Sequence, residues 1–149
     1  MTKYFEDIEE GEVTECGGRT VTKSEIIDFA SRFDPQPFHV NEEAAAESMF
    51  GGIIASGWHT AALATRMIVD GWLGEVANEG GLGSDELRWH QPVTPGDTLR
   101  VRMEVLEKRD SESNPGSGIV RRQTEVLNQD DEVAMSWKTA IMVAKRDAE

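Results

Sequence analysis

An aspartate and a histidine five positions apart, Asp34 and His39, lie in the segment Phe33-Asp34-Pro35-Gln36-Pro37-Phe38-His39. A carboxylate and an imidazole together can take and return a proton near neutral pH. Each proline fixes its own φ near about −65° and pushes the residue before it out of the α region. Asp34 and Gln36 are therefore not expected to continue a helix, and the stretch is predicted to be a stiff, extended arch aiming both side chains at one volume. The competing reading has Asp34 capping a turn and His39 packing under a helix that starts after Asn41. The remaining histidines carry less. His59, two residues after Gly57, is placed to line a pocket or to sit as a packed polar group, whereas His90 beside Trp89 reads as packing. No two of the three histidines have zinc-ligand spacing, and Cys16 is the one cysteine of the chain, so no metal is expected. Cys16 stands next to Gly17-Gly18, away from any histidine in sequence, and is not read as a nucleophile. Ser56-Gly57-Trp58 is not a nucleophile elbow.

The elements that must position these groups follow from periodicity. Residues 12–20 form a strand interrupted at Gly17-Gly18. Thr22-x-x-Glu25 opens an amphipathic helix through Phe33, with Ile26, Ile27, Phe29, Ala30 and Phe33 expected on its buried side. Asn41 caps a short helix over 42–49, ended by Gly51-Gly52. Trp58 to about Leu73 is apolar nearly all round, the pattern of a helix buried in the middle of a fold. Four strands follow, over 82–89, 98–109, 119–127 and 133–143, with a polar loop at 111–118 and a turn at Asn128-Gln129-Asp130-Asp131. One buried helix with one strand before it and four after it predicts an α+β arrangement, an antiparallel sheet wrapped around that helix. The whole chain, 1–149, reads as a single domain, and its outer strands leave edges that a second copy can cover.

Composition excludes several classes of partner. The 28 acidic residues against 15 basic ones give a formal charge of −13. Such a surface repels nucleic-acid phosphates and anionic lipid, so neither nucleic acid nor membrane is an expected partner. The acids are scattered, a spread favoured where high salt screens self-repulsion, and a halophilic origin is expected. An anionic ligand needs a local cationic patch, for which Lys108, Arg109, Arg121 and Arg122 are candidates. With no intrachain disulfide possible, no apolar segment at the start and no run of membrane-spanning length, a cytoplasmic location is expected.

Three segments in series, Asp34-Pro35-Gln36-Pro37-Phe38-His39, Phe50-Gly51-Gly52-Ile53-Ile54-Ala55-Ser56-Gly57 and Trp89-His90-Gln91-Pro92-Val93-Thr94-Pro95-Gly96-Asp97-Thr98-Leu99, resemble the MaoC-like dehydratases. That family includes the (R)-specific enoyl-CoA hydratases and has the hot-dog fold. The resemblance implies that Asp34 and His39 are the catalytic pair, positioning and activating a water that adds to Cβ of a 2-enoyl-CoA while a proton reaches Cα. It implies that the backbone N–H of Gly57, at the start of the central helix, polarises the thioester carbonyl. The physics of a helix N-terminus, with unpaired N–H groups and positive partial charge, agrees. Ser56, Trp58 and His59 around that glycine are then candidates for substrate contact, the acyl-CoA is the substrate, no further cofactor is implied, and a homodimer or an assembly of dimers is expected. Two positions depart from the typical pattern: Gln36 stands where Asn is usual, with two flanking prolines instead of one, and Ala62 stands where characterised hydratases commonly carry Ser. Besides the hydratase reading, the fold also hosts silent acyl-CoA-binding subunits and thioesterases. Retention of both Asp34 and His39 on a stiff arch favours the hydratase.

Overall fold

Residues 1–147 of the computed structural model are described here, and they build five strands, four α-helices and two short 3-10 turns (Phe5–Asp7 and Leu73–Glu75). Strand β1 (Val13–Thr20) is followed by helices α1 (Lys23–Phe33), α2 (Pro37–Val40), α3 (Glu42–Glu47) and α4 (Gly57–Gly71). Strands β2 (Asn78–Trp89), β3 (Thr98–Asp110), β4 (Ser117–Leu127) and β5 (Val133–Ala144) complete the chain. All neighbouring strands run antiparallel in the order β1-β3-β4-β5-β2. This is the hot-dog arrangement, with α4 laid across the inner face of the sheet.

Alternation decides which side of each strand meets the helix. Leu99, Val101, Met103 and Val105 of β3 are buried, as are Val120 and Val126 of β4 and Met135, Trp137, Ile141 and Val143 of β5. They enclose Leu63, Ala64, Met67 and Ile68, which recur at helical spacing along α4. Removing this apolar surface from water is the dominant stabilisation, on the order of 25 cal/mol per Å². Gly17 marks the interruption in β1. Its φ of +99° is open to glycine, the register slips between Gly17 and Arg19, and a Cβ there would lie 2.3 Å from Met67 Sδ.

Several elements differ from the sequence-based expectation. The predicted extended arch is extended only as far as Gln36 (φ −74°, ψ 144°); Pro37 then opens the helical turn α2, which carries His39. Proline is well suited to a first helical position, because its fixed φ is helical and its missing N–H has no helical partner there. Strand β2 begins at Asn78, four residues before the expected start. The helix α4 is not enclosed all round: Trp58 and Val69 are exposed on its outer side. The edge strand β2 is exposed along most of its length. Of the four residues named for a cationic patch, Arg109 is exposed and Arg121 is half-buried, 3.9 Å from Asp85, while the other two are otherwise engaged. Arg122 is buried on the inner face of β4, and Lys108 donates to the carbonyls of Phe5 and Ile8.

Candidate active site

The arch between α1 and α2 delivers both titratable groups to the N-terminus of α4. Asp34 closes α1, its N–H bonding to the Ala30 carbonyl. Pro35 then forces a tight turn in which Gln36 N–H donates to the Asp34 carbonyl at 2.8 Å, and the Gln36 carbonyl accepts from His39 N–H at 2.9 Å. His39 is buried, and its Nδ1 lies 2.7 Å from the Ile54 carbonyl. A carbonyl can only accept, so Nδ1 carries a proton and the ring turns Nε2 toward Asp34 Oδ2, 3.4 Å away.

Both oxygens of Asp34 are held by donors. Ser56 Oγ donates to Oδ2 at 2.7 Å and Gln36 Nε2 donates to Oδ1 at 2.6 Å. The Ser56 bond, more than any other neighbour, keeps the Asp34 carboxyl below its ordinary range, with Gln36 and the nearby His39 adding to the effect and partial burial opposing it. The same Ser56 oxygen accepts from Trp58 N–H and so caps α4. The gap between Oδ2 and Nε2 is wider than a direct hydrogen bond and is flanked by groups that accept and donate protons. A water touching both atoms would sit to one side of the line joining them, because 3.4 Å is too short to hold one between them.

Gly57 stands beside this pair as the first residue of α4, and its N–H has no partner among the described residues. The Trp89 ring packs against it: a Cβ at position 57 would lie 2.2 Å from the indole. Glycine is therefore dictated here by the close approach of Trp89, and the same absence of a side chain leaves the amide open. A cavity of about 370 Å³ opens beside it, lined by His39, Ile54, Gly57, Thr60 and Trp89 among others.

The site therefore joins Asp34, His39, Ser56 and Gly57, and leaves the other two sequence candidates outside. Trp58 is exposed and meets the Trp89 ring edge-on at 5.0 Å, but does not line the cavity. His59 faces the opposite way, stacked on Phe29 of α1 with ring centroids 4.6 Å apart. Burial pushes its imidazole below the ordinary pKa, against the opposing pull of Glu25. Substrate contact by Trp58 and His59 is thus not supported by the geometry, because successive helical residues point about 100° apart and Gly57 and Thr60 take the cavity side. A signal for His59 was present: positions 59, 63 and 67 form one i, i+4 row with Leu63 and Met67. Thr60 and Gln36 were missed as site residues. Among the described residues no cluster of three or more His, Cys, Asp or Glu can hold a metal ion, and no helix is long and apolar enough to cross a membrane.

A carboxylate and an imidazole thus meet at the N-terminus of a helix wrapped by a hot-dog sheet. Comparison with known proteins places this arrangement in a family. The family model described as MaoC like domain matches residues 6–127, and the chain belongs to that family. The crystal structure of a MaoC-like dehydratase from Rhodospirillum rubrum superposes with a TM-score of 0.87 at 39% identity, over 97% of this chain and 98% of that one. The 3-hydroxybutyryl-CoA dehydratase of Methylorubrum extorquens is 35% identical over 106 residues, 70% of this chain and 64% of that protein. The (R)-specific enoyl-CoA hydratase of Rhodospirillum rubrum is 32% identical over 108 residues, 68% of this chain and 69% of that protein. Against two longer curated relatives the chain spans 31% and 23% of their length.

Proposed function

We propose that the chain is a hydro-lyase that adds water reversibly across the C2=C3 bond of a 2-enoyl-CoA, or removes it from a 3-hydroxyacyl-CoA. The observation that carries this reading is the 3.4 Å approach of Asp34 Oδ2 and His39 Nε2 beside the unpaired Gly57 N–H at the head of a 15-residue helix. In the hydration direction a water held beside the pair attacks C3, and Asp34 takes its proton. The electron pair of the double bond moves toward C2 and onto the thioester oxygen, which Gly57 N–H and the helix N-terminus stabilise. His39, protonated at Nε2, gives that proton to C2, and Asp34 returns its own to His39. Hydroxyl and hydrogen are thereby added and both side chains are restored. The relatives named above as hydratase and dehydratase support the same chemistry.

Crotonyl-CoA and longer 2-enoyl-CoAs test the proposal, with loss of the conjugated double bond and release of free CoA followed in parallel. Loss of the double bond without CoA release is expected. CoA release would establish a thioesterase, and binding with neither reaction a silent acyl-CoA-binding subunit.

We further propose a homodimer in a reducing cytoplasm, the pairing made along β2 and the outer side of α4. Leu82 and Trp89 of β2 and Trp58 and Val69 of α4 are all large exposed apolar residues, and an unpaired strand edge of this kind is normally covered. Light scattering at micromolar concentration and adequate salt is expected to give twice the chain mass; a monomer mass would overturn the proposal.

A further inference from the structure

Gln36 is exposed, yet it is the most tightly connected residue of the arch. Its N–H and its carbonyl bind Asp34 and His39 respectively, and its side chain reaches back to Asp34 Oδ1. No packing requirement explains an ordered amide at this position. The carboxylate it holds lies between opposing fields: the C-terminal end of α1, whose free carbonyls disfavour negative charge, and the N-terminal end of α4, whose amides favour it. His39 from α2 is the titratable group that faces it, and α4 presents the neutral Ser56. Without a second tether the carboxylate is free to rotate about the Ser56 contact and lose its aim at Nε2.

We propose that Gln36 is a positioning residue for the hydration reaction: its amide and the Ser56 hydroxyl clamp the two oxygens of Asp34 so that Oδ2 is presented to His39. The inference rests on the hydratase reading of the site. The clamp has two effects of opposite sign. Donors to both oxygens weaken Asp34 as a base but keep it ionised further into acid, and they fix the direction in which it accepts a proton. Ser56 cannot test this cleanly, because the same oxygen caps α4. Gln36 can, because its side chain is bound to nothing else.

The test compares wild type with Gln36→Met, which keeps the length and removes the donor, and Gln36→Asn, which keeps an amide one methylene shorter. For Gln36→Met the expected result is kcat lower by about tenfold to a hundredfold, the cost of a misaligned reacting group. KM and melting temperature should stay near wild type, and the acid limb of the rate profile should move to higher pH. Gln36→Asn should recover part of the loss and bring the limb back toward wild type. A Gln36→Met enzyme with unchanged kcat and unchanged acid limb would overturn the proposal. So would a fall in activity that merely follows the melting temperature, or a Gln36→Asn enzyme no better than Gln36→Met. A titration of the ¹³C-labelled Asp34 carboxyl by NMR needs no substrate. Its midpoint should rise in Gln36→Met even if the chain hydrates no enoyl-CoA, and an unmoved midpoint refutes the clamp independently of the function.

Discussion

The two ends of α4 each bury a charged group against the sheet, and they are built in opposite ways. At the N-terminal end Asp34 has a donor on each oxygen, His39 has a carbonyl on Nδ1, and His39 borders a cavity. At the C-terminal end Arg122, 5% exposed, lies 5.0 Å under the Trp72 ring. It donates to Met103 Sδ and Thr139 Oγ1, and no carboxylate among the described residues lies within 4.0 Å of it. Its Nε and Thr124 Oγ1 have no hydrogen-bond partner among the described residues. Burial drives its pKa down to about 10, the expected response of a cation removed from water without a counter-charge. One end therefore holds charge in a satisfied network open to substrate, and the other tolerates a charge that the fold would be no worse without. Burial of a charge alone does not make a site; partners aimed at a reachable volume do.

The largest expected effect breaks the first end. Asp34→Asn keeps the shape but cannot take the water's proton, and hydration should fall by about 10²–10⁴-fold with the fold intact by circular dichroism. Loss of less than about threefold, far outside that range, would remove Asp34 from the role of base. His39→Gln should cost nearly as much, and the double variant should be little worse than either single one, because residues acting as a unit are strongly non-additive. Independent, additive losses accompanied by a lower melting temperature would assign His39 a structural job instead.

Gly57→Ala sets packing against chemistry at the same end. The new methyl collides with the Trp89 indole, so the variant should lose about 1–3 kcal/mol in denaturant unfolding together with most of its activity. Ser56→Ala removes both a helix cap and a donor to Asp34. A loss of about 1 kcal/mol from the cap should accompany a shift of the acid limb to higher pH. Stability without the limb shift would show that the serine only caps the helix.

The smallest effect is expected at the other end. Arg122→Met should leave the hydration rate unchanged and the melting temperature equal to or above that of wild type, since removing an unpaired buried charge lifts its desolvation penalty. The sign with pH follows. The folded pKa of Arg122 is below the unfolded one, so the unfolded chain holds more protons between the two and stability rises as pH passes about 10. The stability advantage of Arg122→Met should accordingly be present at pH 8 and shrink above about pH 10, the full difference being on the order of 3 kcal/mol. A strongly destabilised Arg122→Met at pH 8 would mean that the guanidinium is holding the sheet and Trp72 together.

The contrast also separates what each stretch of chain encodes locally from what it does not. The parity of Val120, Arg122, Thr124 and Val126 along β4 already placed Arg122 with two valines, yet the run Arg121-Arg122 reads as a surface patch until the pairing with β3 and β5 fixes which face is inside. Likewise, the two prolines made a non-helical break after Phe33 legible, but not that the second proline begins a new helical turn, because either outcome satisfies a φ near about −65°.

By itself the sequence determined the order of the strands and of α1, α3 and α4, the Thr22 and Asn41 caps, the break at Asp34-Pro35 and the alternation of β3, β4 and β5. These depend on torsions and periodicities set within a few residues. Tertiary structure alone decided that Ser56 Oγ would reach Asp34 across 22 positions, that Trp89 would lie on Gly57, that His59 would turn to Phe29, and that the cavity would open beside His39. Each of these is a contact between elements distant in sequence. Its geometry is fixed by how α4 settles on the sheet, which no local torsion or pattern specifies.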